Sequence, residues 1–240
     1  MERKPEPRQP PRKPDGQDAR VYGRRKGRPL RDNLERLIEE RLPHYRFPLP
    51  QDGLLDPSSL WAKAPTEIWL EIGFGGGEHL SWQADQNPDV GLIGCEIFLN
   101  GVATAVRALE ERKARNVRLW PEDVRPLLER LAPASLDRVF ILFPDPWPKA
   151  RHHKRRLVGD RTLDRLATLL RPGGELRLAT DDEDYLVWML DHLWRHRRDF
   201  RWTAEKASDW QRRDWPETRY EAKARAAGRK STFLSYRREG

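Results

Sequence analysis

Between residues 68 and 193 the chain alternates short apolar runs with stretches whose apolar residues recur at helical spacing. Ile68–Ile72, Gly91–Cys95, Val117–Trp120, Leu136–Phe143 and Leu176–Ala179 read as buried strands. The fourth is the strongest, because Val139–Phe143 is wholly apolar. Glu78–Gln86 supplies a helix after the first strand, and Leu99, Val102, Ala103, Val106 and Leu109 mark one face of a second. Leu163, Leu166, Ala167 and Leu170 line another, stopped by Arg171-Pro172-Gly173-Gly174. Tyr185, Trp188, Met189 and Leu193 line a further one. Strands that alternate with helices predict an α/β fold with a mainly parallel sheet covered on both faces. Late strands near Phe200–Thr203 and Thr232–Tyr236 bring the sheet to seven. An amphipathic helix from Leu34 to Leu42, capped by Asn33, precedes a Pro-rich stretch from Pro43 to Pro65.

The length, 240 residues, suits one domain with a real core. Charged residues make up 35% of the chain, and no apolar run approaches the roughly 20 residues of a membrane span. The single cysteine, Cys95, excludes internal disulfides and a Cys-based zinc site. Together with the absence of an apolar leader segment, it predicts a cytoplasmic protein. The net charge of +8 is uneven: residues 1–31 carry eleven Lys/Arg, four acids and six prolines. That composition predicts a disordered basic tail over 1–32, followed by a folded domain over 33–240. Within the tail, Tyr22-Gly23-Arg24-Arg25-Lys26-Gly27-Arg28 mixes cations, glycine and an aromatic as nucleic-acid-binding arms do. Oligomeric state is left between monomer and homodimer.

In a parallel sheet of this kind, ligands bind beyond the carboxyl ends of the strands. Four of those ends carry acids. Glu71 precedes the glycines Gly73, Gly75, Gly76 and Gly77, which permit a tight turn and close approach of a ligand to backbone. Glu78 stands where a dinucleotide fingerprint has its third glycine, and it would sit badly beside a pyrophosphate. The Glu-x-Gly-x-Gly-x-Gly pattern instead resembles the first motif of Rossmann-like methyltransferases, whose ligand S-adenosylmethionine is cationic and has no phosphate. Glu96 follows the second strand, where a carboxylate can accept both ribose hydroxyls of an adenosine. Asp123 follows the third, as an acceptor for an adenine amino group or simply as a helix cap.

After the fourth strand comes Phe143-Pro144-Asp145-Pro146-Trp147-Pro148-Lys149-Ala150-Arg151-His152-His153-Lys154-Arg155-Arg156. Three prolines stiffen the loop and fix Asp145 and Trp147. An indole is a stacking platform for a base, and five Lys/Arg with two histidines within eight residues form a surface that gathers phosphates. Adjacent His152 and His153 lack the partners a metal requires. These residues leave several readings open: a methyltransferase acting on a nucleobase, a nicotinamide-dependent oxidoreductase sharing Glu96 and the fold, and a non-catalytic RNA-binding subunit. A methyltransferase for exocyclic amines fits less well, because one proline rather than two separates Asp145 from Trp147.

Glu71-Ile72-Gly73-Phe74-Gly75, Gly94-Cys95-Glu96, Phe143 to Lys149, His152 to Arg156 and Ala179-Thr180-Asp181 resemble, in order, the bacterial tRNA (guanine-N7)-methyltransferases. The resemblance runs from about Tyr22 to the C-terminus, and the Pro-Asp-Pro-Trp-Pro-Lys segment is its most specific part. It implies a Rossmann-like methyltransferase fold, S-adenosylmethionine as cofactor and tRNA as partner, with N7 of the variable-loop guanine at tRNA position 46 as target. It implies Glu71, Gly73, Gly75, Glu96, Asp123 and Asp145 at the cofactor, with Asp145 also catalytic. Lys149, Asp181 and Thr218-Arg219-Tyr220-Glu221 are implied substrate contacts. Ala150 departs from a basic residue frequent in the family, at the cost of one phosphate contact at most.

Overall fold

The computed structural model describes residues 27, 29–211 and 214–240. The tail assigned to 1–32 therefore lies, over 1–26 and at 28, outside the described residues, as does most of the Tyr22–Arg28 arm.

Among the described residues seven strands form one sheet: β1 (Glu67–Ile72), β2 (Val90–Cys95), β3 (Val117–Trp120), β4 (Leu136–Leu142), β5 (Leu170–Thr180), β6 (Phe200–Trp202) and β7 (Thr232–Arg238). Their order is β3-β2-β1-β4-β5-β7-β6. β1 to β5 run parallel, and β7 lies antiparallel between β5 and β6. The helices are α1 (Asp32–Tyr45), α2 (Glu78–Gln86), α3 (Leu99–Glu111), α4 (Val124–Arg130), α5 (Asp160–Leu169), α6 (Glu183–Arg195) and α7 (Arg219–Ala226).

Side chains alternate across a strand, so each central strand feeds two cores. Trp69, Leu92 and Phe140 pack with Leu80 of α2 and Val102, Val106 and Leu109 of α3, and α1 lies against this layer. Leu70, Ile93, Val139 and Ile141 pack on the other face with Leu127 of α4, Leu163 and Leu166 of α5, and Met189 and Leu193 of α6. This double coverage explains why the central strands are apolar throughout rather than alternating.

The predicted architecture holds, with local differences. α1 begins at Asp32 and no side chain caps it, so Asn33 lies inside the helix. β4 ends at Leu142, because Phe143 turns left-handed with φ +52°. β5 begins at Leu170, before the Pro-Gly-Gly breaker, because Leu170 already pairs with Leu136 and the register then shifts to join Arg138 with Glu175. The hydrophobic pattern left α4 and α7 unmarked. α4 is seven residues long and contains Pro126; α7 is polar on most of its surface, burying only Glu221 and Ala224.

Candidate active site

Strand order reverses between β1 and β4, and a cavity of about 360 Å³ opens beyond the carboxyl ends there. It is walled by Ile72 and Gly73 after β1, Cys95 to Phe98 after β2, Glu122 to Arg125 after β3, and Phe143 to Asp145 with Trp147 after β4. Tyr220 closes one side. Of the residues singled out in the sequence, the structure thus brings together Gly73, Glu96, Asp123, Asp145 and Tyr220, with Trp147, Lys154, Arg155 and Arg156 from the Pro-rich loop and the basic run.

The loop after β1 is shaped by backbone geometry that disfavours other residues. Gly75 has φ +57°, and an added Cβ would stand 2.7 Å from the Tyr220 ring. Gly77 has φ +78°, and its Cβ would meet that of Ala105 at 2.6 Å. The loop is tied to its neighbour: Gly73 N–H donates to the Cys95 carbonyl at 2.8 Å. Glu96 accepts the Gly75 N–H at 2.8 Å and the Phe98 N–H at 2.9 Å. Burial pushes the Glu96 carboxyl above the ordinary range despite those hydrogen bonds, and the charge of Asp145 adds to the rise. Desolvation also raises Asp145, which lines the same cavity. Two carboxylates whose charges oppose one another and have lost part of their water form a site that a cation relieves.

Asp123 serves as the N-cap of α4, accepting the Arg125 N–H at 3.1 Å, and it also holds the Arg125 guanidinium with Nε at 2.9 Å. Arg125 is a cavity residue that sequence reasoning missed, since nothing in Pro121-Glu122-Asp123 signals where the following side chain folds back.

Phe143 and Trp147, with φ +52° and +46°, are non-glycine residues in the left-handed region, and they bracket Asp145. Each such residue costs about 1–3 kcal/mol and persists only when its surroundings enforce it. Phe143 N–H is anchored on the Ala179 carbonyl at 2.8 Å. The basic run beyond forms a 3-10 turn over Ala150–Arg155. Arg155 lies over the Trp147 ring at 5.0 Å, and Lys149, Arg151 and Lys154 are exposed. One member of the run departs from the expected basic surface: Arg156 turns inward and is 1% exposed.

Glu71, Gly75, Lys149, Asp181, Thr218, Arg219 and Glu221 lie off the cavity lining. Glu71 is buried and bonded to His79 Nδ1 at 2.8 Å, with His79 Nε2 against Gln83 at 3.0 Å. The His79 ring packs between Phe140 and Trp215, each with centroids 4.7 Å away. Asp181 accepts from Arg229 Nε at 2.7 Å. Thr218 and Glu221 form a reciprocal capping box at the start of α7, and Glu221 also accepts from Trp215 Nε1 at 3.2 Å. Their burial makes them supports for Tyr220, which they hold over Gly75. The Thr-x-x-Glu spacing is the signal that would have found α7. Arg219 lies over the Tyr220 ring at 5.6 Å and 3.6 Å from Glu78. Among the described residues no cluster of His, Cys, Asp and Glu is arranged to hold a metal, and no helix is long and apolar enough to cross a membrane.

The chain matches, over residues 65–234, the family model described as "Putative methyltransferase". The crystal structure of TrmN from Thermus thermophilus shares its fold with a TM-score of 0.51 at 14% identity, covering 85% of this chain and 48% of that one. The family match makes the chain an S-adenosylmethionine-dependent methyltransferase, and its fold is the Rossmann-like one of that class. Over 95% of its length the chain is 52% identical to a tRNA (guanine-N(7)-)-methyltransferase of Rhodospirillum rubrum, of which it covers 91%. A second such enzyme, from Paramagnetospirillum magneticum, is 48% identical, with 91% of this chain and 92% of the relative covered. The chain belongs to the tRNA (guanine-N(7)-)-methyltransferase family.

Proposed function

We propose that this protein transfers the methyl group of S-adenosylmethionine to N7 of a guanine in tRNA, the variable-loop guanine at position 46, in the cytoplasm. The observation that carries the reading is the pair Glu96 and Asp145. Desolvation raises both carboxyls, the charge of Asp145 adds to the rise in Glu96, and both line one cavity at the strand-order reversal beside an exposed basic turn. A cationic cofactor suits that pair, whereas a dinucleotide pyrophosphate does not.

When bound, S-adenosylmethionine would supply an electrophilic methyl group to the lone pair of guanine N7, with S-adenosylhomocysteine as the leaving group. No proton moves in that step, because N7 of neutral guanine is already unprotonated. The protein's work is then positioning and charge. Gly73 and Gly75 let the cofactor approach backbone, Glu96 takes the ribose hydroxyls, and Asp123, held by Arg125, faces the adenine amino group. Asp145 accepts from guanine N1–H and the amino group, which selects guanine over adenine and stabilises the positive charge that develops on the base. Trp147 stacks on a base, Lys149 and its exposed neighbours hold phosphates, and Arg219 and Tyr220 form the rim. Asp181, through Arg229, orders the same edge. Glu71 acts through His79 on the loop, and Thr218 and Glu221 act by capping α7. Residues 33–240 form the catalytic domain, and 1–32 a basic arm for the RNA.

The test is incubation with methyl-labelled S-adenosylmethionine and unmodified tRNA, followed by borohydride and aniline cleavage, which is selective for N7-methylguanine. The expected result is label in tRNA and one cut in the variable loop. Label without cleavage moves the methyl to another atom, and no label overturns the reading.

A further inference from the structure

Arg156 closes the basic run that begins at Lys149, and its sequence position suggests a phosphate contact. Its side chain borders the cavity, but its guanidinium is committed to protein partners. The side chain is fully buried, the largest such side chain among the described residues. Its Nε donates to the Pro146 carbonyl at 2.8 Å, and Nη2 pairs with the Asp184 carboxylate. The guanidinium lies 4.9 Å from the Tyr185 ring centroid and 5.1 Å from that of Trp188. Hydrogen bonding by Arg156 holds Asp184 below the usual carboxylate range. A charge taken out of water is retained only when it is paired and hydrogen-bonded, and this one is matched on its edge and on its faces. Pro146 is the residue between Asp145 and Trp147, and the loop around it carries the two left-handed residues Phe143 and Trp147. Arg156 therefore ties the middle of a strained loop to the first turn of α6, where Asp184 and Tyr185 sit.

We propose that Arg156 is a positioning residue for methyl transfer: a buried strut that fixes the Phe143–Trp147 loop to α6 and so sets where Asp145 and Trp147 stand in the cavity. Only arginine fills the place. Its planar fork serves a carbonyl and a carboxylate at once while its faces stack on aromatic rings, whereas lysine presents a single strongly hydrated point of charge. The inference rests on the methyl-transfer reading for its functional consequence and on geometry alone for the strut.

The variant Arg156→Lys keeps the charge and removes the fork. Its turnover number is expected to fall by about tenfold to a hundredfold, the scale set by sub-ångström to ångström misplacement of reacting groups. Its tRNA Kd, measured by filter binding, is expected to stay within about twofold of wild type with an unchanged salt slope, since no phosphate contact is lost. Hydrogen exchange of the peptide from Phe143 to Arg151 is expected to accelerate. Asp184→Ala, on an exposed side chain, is expected to give the same three signatures more weakly, and it carries the test if the Arg156→Lys protein does not fold. A raised tRNA Kd with a reduced salt slope and unchanged turnover would make Arg156 a phosphate ligand and overturn the proposal. Unchanged exchange with wild-type turnover in Arg156→Lys would overturn it as well. If the wild-type protein itself methylates no tRNA, the functional reading fails, while the exchange data still decide whether the strut exists.

Discussion

Glu96 accepts the backbone N–H of Gly75 at 2.8 Å, so a carboxylate after the second strand fixes the glycine loop after the first. The same side chain holds Phe98 N–H at 2.9 Å, at the entrance to α3. Glu96 is thus a brace in the protein alone, before any ribose is considered. Replacing it with alanine leaves two loop donors without their acceptor, at about 1–3 kcal/mol for an unmade hydrogen bond in a desolvated place. We expect Glu96→Ala to weaken S-adenosylhomocysteine binding, followed by calorimetric titration, by about tenfold to a hundredfold. A Kd equal to that of wild type would remove Glu96 from the cofactor site.

Gly75 meets two independent constraints, a φ of +57° and the Tyr220 ring. Gly75→Ala suffers from both, and Tyr220→Ala in the same protein relieves only the second. The double variant is therefore expected to recover part of the lost cofactor affinity and not all of it, the remaining deficit reflecting about 1–2 kcal/mol of backbone strain. Additive losses in a double-mutant cycle would show that Tyr220 does not lie on the loop in solution.

Asp145 carries a raised proton affinity from desolvation. A carboxyl whose pKa is higher folded than unfolded opposes folding once pH exceeds the folded value, and the opposition vanishes as pH falls below the unfolded value. Asp145→Asn is accordingly expected to raise Tm slightly at neutral pH, with the difference shrinking on acidification. Turnover is expected to collapse with a much smaller loss of cofactor affinity. In the wild type, the acid limb of kcat/KM is expected above the usual aspartate range. Unchanged turnover in Asp145→Asn would end its assignment as the catalytic residue.

Glu71 and His79 are both buried and bonded to each other at 2.8 Å. Removing one partner of such a pair strands the other in the core, at about 3–5 kcal/mol. We expect His79→Ala to lose stability on that scale in urea unfolding without cofactor. Full stability would mean that the Glu71 carboxyl finds another partner within the protein.

Lys149 and Lys154 are exposed on the basic turn. Substitution of either by alanine is expected to weaken tRNA binding at low salt and to reduce the slope of log K against log salt by about one, with turnover at saturation preserved. Equal slopes would place the RNA elsewhere on the surface. These variants and Arg156→Lys move opposite parameters, although all three cations come from one eight-residue stretch.

The sequence by itself determined the sheet and its ligand end. Continuous apolar runs such as Val139–Leu142 are legible because a strand covered on both faces must be apolar throughout, and β3 and α2 fall on the predicted residues. Glycines before Glu78 and acids after successive strands placed Glu96, Asp123 and Asp145 on one cavity for the same topological reason. Only the tertiary structure decided which polar residues face that cavity and which support it. Glu71, Thr218 and Glu221 carry the same chemistry as the cavity acids yet lie off its lining, and Arg156 borders the cavity with its guanidinium committed to the protein; each finds its partner through the fold, in His79, in a capping box or in Pro146 and Asp184. A charge written in a sequence does not say whether water or protein surrounds it. That is settled by contacts such as the one Arg156 makes across 28 residues to Asp184, which exist only once α6 has packed beneath the loop.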